Sequence, residues 1–149
     1  MKLALRVLGL ALLFTFGFTL TVNAQTAKKS KKEIALHQYC PVAYAAMNKA
    51  VKGDAKFSST YKGKTYFFAM ADAKKMFDSD PVKYLPKYDG YCATALAMGK
   101  RVESAPGIFS VYKDSTYLFS NKVAKAEFDK DPDMTIKGAN KNLAVLANK

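Results

Sequence analysis

The chain has 149 residues, half of them hydrophobic, with 24 basic and 12 acidic side chains and a formal net charge of +12. That length suits one ordinary domain, and the apolar content is enough for a packed core. The excess charge is almost all lysine, with Arg6 and Arg101 the only arginines; base reading and bidentate phosphate recognition favour arginine, so no nucleic-acid partner is expected.

The chain begins with Lys2 and Arg6, an apolar run over residues 7–19, and then Val22-Asn23-Ala24 with small residues where a signal peptidase reads. This pattern predicts a secretory signal peptide over residues 1–24, cleaved after Ala24. The expected location is the periplasm or the medium, with no transmembrane segment left after cleavage. The mature chain would carry 22 basic and 12 acidic groups. Residues 25–36, polar and lysine-rich at first, read as a flexible basic leader.

Residues 37–48 read HQYCPVAYAAMN. Pro41 suits a first helical position, which puts Cys40 at the cap and lets Asn48 end the helix. Residues 57–68 hold aromatics and threonines on both sides of Lys62-Gly63, a hairpin signal. Asp72 is then a candidate cap for a helix whose Ala73, Met76 and Phe77 share one face. Asp80-Pro81 stops that helix, and Asp80 can cap a further turn on which Tyr84 and Tyr88 share a side.

The same order then recurs. Shifted by 51 positions, residues 61–81 align with 112–132 at 11 identities in 21 positions without a gap. The matches include Tyr61 with Tyr112, Thr65 with Thr116, Phe77 with Phe128 and Pro81 with Pro132. Cys92 follows Tyr91 as Cys40 follows Tyr39, and Gly99 is a natural helix stop. Lys113-Asp114-Ser115 takes the hairpin turn and Asn121 the helix cap. The internal repeat predicts a small single α+β domain over residues 37–149, built from two pseudo-symmetric helix–β-hairpin–helix (αββα) units at about 39–90 and 91–142. Leu143, Val145 and Leu146 suggest a last helix or strand.

YCPVAY (39–44), KGDAKFSSTYKGKTYFF (52–68), MFDSDPVKYLPKYDGYCA (76–93) and YLFSN (117–121) together resemble the exported branch of the YHS-domain proteins. The resemblance covers residues 39–138. It implies kinship with TRASH-type modules found beside heavy-metal-handling proteins, and hence metal binding through cysteine. The tripeptide that names the family is absent. Cys40 stands where many exported relatives have aspartate, and each unit keeps one cysteine where TRASH modules have several.

Cys40 and Cys92, the only cysteines, are the sharpest candidates for chemistry. Three readings stand. One is a Cys40–Cys92 disulfide, closing a loop of about 50 residues and adding roughly 4 kcal/mol in an oxidising compartment. Another is a soft-metal site for copper or zinc made by both thiolates with His37, through the spacing His37-x-x-Cys40. The third is a pair of separate capping or buried thiols. His37 is the only histidine and is as ordinary as a solvated residue before a helix. Met47 and Met98 read as core filler, with a sulfur ligand the lesser reading. Tyr84, Tyr88 and Tyr91 could line a groove. Asp78, Asp80, Asp129 and Asp131 read as turn and cap residues. No catalytic constellation is visible. The leading expectation is an exported, non-enzymatic binding protein, with a metal ion as ligand. The alternative is a structural or interaction module with an envelope protein partner.

Overall fold

A computed structural model describes residues 33–147. The expected signal peptide and most of the expected leader lie outside them. Within them the repeat is literal. Helix α1 (Pro41–Met47), strands β2 (Asp54–Tyr61) and β3 (Lys64–Phe68), and helices α2 (Ala71–Ser79) and α3 (Pro81–Tyr84) make the first unit. Helix α4 (Ala93–Ala97), strands β4 (Ala105–Tyr112) and β5 (Ser115–Phe119), and helices α5 (Lys122–Lys130) and α6 (Pro132–Ala147) make the second. The α+β expectation and its two αββα units hold. No helix among the described residues is long and apolar enough to cross a membrane.

Each hairpin closes through two left-handed residues, Lys62 (φ 47°) with Gly63 (φ 78°) and Lys113 (φ 47°) with Asp114 (φ 55°). Such turns match the right-handed twist of the flanking strands. Ser115, expected in the turn, already pairs with Tyr112. Both outer strands carry a register shift at the same place, between Asp54 and Ser58 and between Ala105 and Phe109.

One phenylalanine organises each core. Phe77 lies 5.2 Å from the ring of Tyr66, 5.0 Å from Phe68 and 6.1 Å from Tyr61. Phe128 lies 5.0 Å from Tyr117, 5.0 Å from Phe119 and 6.2 Å from Tyr112. Period-two alternation in β3 and β5 aims these rings at the helix, and burying each phenylalanine contributes about 2–3 kcal/mol. The helix is pinned to its hairpin by Asp78, which accepts from Ser59 and Lys74, and by Asp129, which accepts from Ser110 and Lys125. Phe57 packs on the first core and Ile108, its true counterpart, on the second. Phe109, one residue on, is thereby turned to the other face.

Several local expectations change. Met70, not Asp72, is the residue before α2, whereas Asn121 caps α5 by accepting from the Ala124 N–H at 2.8 Å. Ala73 and Phe77 are buried, but Met76 is 39 % exposed. Met47 and Met98 are 50 % and 68 % exposed and fill no core, since both lie where their short helices run out into solvent. Asp80 and Asp131 do cap the following helices, accepting from the N–H groups of Lys83 and Met134.

The units differ where their last helices differ. Leu85-Pro86 ends α3 after four residues, while α6 runs for 16 and covers α4. Asn142 of α6 donates to the carbonyls of Leu96 and Ala97, the last turn of α4. Residues 33–36, expected in the flexible leader, belong to the domain. Strand β1 (Glu33–Ile34) runs parallel to β3, pairing Glu33 with Lys64 and Ile34 with Thr65, and Ala35 is buried.

Candidate functional site

The two cysteines sit at equivalent starts of α1 and α4, as the repeat requires. Each N–H is tied to a valine carbonyl, Cys40 to Val51 at 2.8 Å and Cys92 to Val102 at 2.9 Å. Both thiols are free and completely buried. Cys40 packs in the first core and Cys92 in the second, where the Ser120 hydroxyl donates to its sulfur. In the structure no bond joins the two sulfurs, and each unit folds its cysteine inward against its own aromatic cluster.

His37 stays outside. Its side chain is 61 % exposed, and its Nε2 is 4.0 Å from Glu103. The spacing His37-x-x-Cys40 would face one side of a helix, but the chain there is not α-helical. Leu36, His37 and Gln38 all have positive φ, so histidine and thiol diverge. Among the described residues no three His, Cys, Asp or Glu side chains gather to hold a metal ion. Cys40, Cys92 and His37 belong to no such group.

Of the three tyrosines proposed for a groove, Tyr84 parts from the other two, whereas Tyr88 and Tyr91 line one hollow beside Lys64, Asp89 and Arg101. Tyr84 is buried in the first core, while Tyr88 stacks 5.9 Å from Tyr117 and its hydroxyl donates to Asn140 at 3.1 Å. Tyr91 lies under Arg101, 5.2 Å from its ring centre.

What the fold does build is a cleft at the junction of the units. The left-handed run at residues 36–38 has a counterpart 52 positions on, at Tyr88 (φ 62°), Asp89 (φ 54°) and Gly90 (φ 83°). Three consecutive residues of this hand are costly, about 1–2 kcal/mol for each ordinary side chain. The two turns meet: a Cβ on Gly90 would stand 2.8 Å from Leu36 Cδ2. Ser104 locks the second turn by donating to the Gly90 carbonyl at 2.5 Å, and the Gly53 N–H donates to the Gln38 carbonyl at 2.7 Å in the first.

Between the turns lies a cavity of about 120 Å³ whose lining includes Glu33, His37, Lys64, Tyr66, Asp89 and Glu103. Lys64 is 3.4 Å from Glu33. Tyr66 is 5 % exposed, and its phenol is pushed up to about 12 by burial, then by the nearby carboxylates of Asp89 and Glu33. Of these residues only His37 drew notice in the sequence. Asp89-Gly90 is the one visible trace of a left-handed turn there, because leucine, histidine, glutamine and tyrosine carry no such signal.

No curated protein and no solved structure matches the chain. Residues 46–88 match the sequence model of the YHS domain. The match starts near the end of α1 and stops inside the second left-handed turn, so it takes in the first hairpin, α2, α3, Lys64 and Tyr66 but neither cysteine. The YHS match therefore lies within the first of the two units.

Proposed function

We propose that the protein is an exported, non-enzymatic binding module of the cell envelope, and that its ligand enters the cleft between the two left-handed turns. The observation that carries this reading is the pairing of costly backbone with a polar cavity. Strained residues persist where the surrounding structure holds them, and they cluster at ligand sites. Here three non-glycine residues of that kind, Leu36, His37 and Asp89, line one cavity at the junction of the two units, and Gln38 and Tyr88 adjoin them in the chain. The N-terminal pattern, with Val22-Asn23-Ala24 before the first lysine cluster, supports export.

The test is a small-fragment screen followed by amide chemical-shift mapping on the mature chain. Fragments that bind should move the amides of residues 36–38 and 88–90 together. A screen whose binders all map elsewhere, or that finds none, overturns the reading.

Soft-metal capture by Cys40 and Cys92 is the second reading, with copper or zinc as ligand. It is favoured by one observation, that both thiols are free. Because both are also buried in separate cores, it requires the units to open. Thiol counting by mass spectrometry, with and without Cu(I) or Zn(II) under reducing anaerobic conditions, decides it. Protection of both thiols at one metal per chain, lost in Cys40→Ser, supports it. Labelling that ignores metal removes it.

A further inference from the structure

The two outer strands are equivalent in the repeat but not in character. Strand β2 carries Asp54, Lys56, Ser58 and Thr60 at alternate positions, and β4 carries Ala105, Gly107, Phe109 and Val111 at the same places. Every polar residue of that row is replaced by a small or apolar one, and β4 has no charged residue at all. Native sheets keep exposed edges from pairing with charges, prolines and bulges. Strand β4 keeps only Pro106 and the register shift between Ala105 and Phe109. Beyond that shift, residues 109–112 pair regularly with β5. Tyr44 accounts for Phe109, whose ring it meets at 4.9 Å. Val111, 39 % exposed, is left over.

The same stretch has open backbone. Tyr112 and Ser115 flank the hairpin turn and pair, as do Ser110 and Tyr117. In an antiparallel ladder, hydrogen-bonded pairs alternate with non-bonded ones. Tyr112 and Ser110 therefore direct their N–H and C=O groups at β5, and those of Phe109 and Val111 point the other way. Among the described residues β5 is the one strand neighbour of β4, and no other element bonds to the backbone of Phe109 or Val111. This edge opens into a groove. Asn48, Lys125 and Asp129 line it beside residues 109–112, and Lys122, Lys125 and Asp129 line its continuation beside residues 107–109.

We propose that β4 pairs edge to edge with β4 of a second copy of this chain, across a two-fold axis at Ser110. In that register Phe109 forms a hydrogen-bonded pair with the partner's Val111, and Val111 with the partner's Phe109, so the open groups of both residues are satisfied together. A strand that complements itself is what an isologous interface requires. The charges beside it agree. Running with β4, the groove wall passes from Lys122 and Lys125 to Asp129, and then to Asp133, which accepts from Tyr112 and Lys113. Antiparallel pairing sets the lysine end of one wall against the aspartate end of the other, and a second copy brings that match with it. The groove shares no lining residue with the junction cleft, so this interface is independent of the binding-site reading.

The experiment is sedimentation of the mature chain from micromolar to millimolar concentration, with amide hydrogen exchange at both ends of the range. The expected result is a monomer–dimer equilibrium in which the Phe109 and Val111 amides gain protection as the dimer forms. Val111→Lys sets a charge beside the partner's Phe109 and should weaken the dimer about tenfold or more. Val111→Thr restores the residue of the first unit and should weaken it about threefold. Thr60→Lys, on the equivalent strand, should leave the dimer unchanged. If Val111→Lys does not fold, Val111→Thr decides alone. A chain that stays monomeric, a dimer that the Val111 variants leave intact, or protection that appears on β2 instead overturns the proposal. A monomer that protects the two amides only when a peptide of residues 105–112 is added also overturns it, and leaves the edge to an extended segment of another protein.

Discussion

The hydroxyl of Tyr44 donates to the carbonyl of Pro106 at 2.8 Å, across 62 residues of sequence, while its ring meets Phe109 edge-on at 4.9 Å. Helix α1 of the first unit thus holds the edge strand β4 of the second. The partner of Tyr44 in the repeat is Leu96, which is buried within its own unit. The joint is therefore one-sided, and the phenol, fully buried, is its polar half. Tyr44→Phe keeps the ring contact and should cost about 1 kcal/mol. Tyr44→Ala should cost about 3–5 kcal/mol. Denaturant unfolding measures both, and equal losses would show that the hydrogen bond, not the ring, carries the joint.

The same tyrosine belongs to a set that sets the alkaline limit. Burial holds the phenols of Tyr66 and Tyr88 up to about 12, against 10.0 when unperturbed, and raises Tyr44 further. Unfolded tyrosines lose their protons near pH 10, while the folded ones keep them. The folded state then binds more protons, so stability falls as pH rises from about 10 to 12. Below pH 10 the contribution is complete. Chemical unfolding at stepped pH should show this fall, and it should be shallower in Tyr66→Phe. A flat profile over that range would contradict the assignment.

Thr65 and Thr116 are equivalent in the repeat, and both bury a hydroxyl that has no partner among the described residues. A buried, unsatisfied hydroxyl costs about 1–3 kcal/mol in desolvation. Valine has the same shape and is equally suited to a strand. Thr65→Val and Thr116→Val should each be neutral or raise stability by about 1 kcal/mol, read from the thermal midpoint. A loss in either would mean that its hydroxyl is satisfied after all.

Gly53 marks a place where the repeat is not interchangeable. A Cβ there would lie 2.4 Å from the carbonyl carbon of Phe67, a backbone atom that cannot step aside, whereas its counterpart in the second unit is Ser104, whose hydroxyl makes the Gly90 bond. Gly53→Ala should destabilise by roughly 1–3 kcal/mol through overpacking. Gly107, where a Cβ would meet open space, serves as the control and should change much less in Gly107→Ala.

The duplication, the αββα order, the hairpin turns and the aspartate caps were legible in the residues because each is set locally. Lys62-Gly63 needs only its own dihedrals, Asp80 only the N–H three residues on, and Phe77 only its helical spacing from Ala73. The reach of the domain to Glu33 was not legible, since a two-residue strand has meaning only beside β3. The fates of Cys40, Cys92 and His37 were not legible either. Identical positions in a repeat say that two thiols are equivalent, not that they are near. Each unit satisfies its own aromatic core first, and that separates them. The cleft belongs wholly to the tertiary structure. Leu36, His37, Gln38 and Tyr88 disfavour left-handed backbone by themselves, and the packing of Leu36 against Gly90, with the hydrogen bonds from Ser104 and Gly53, holds them there.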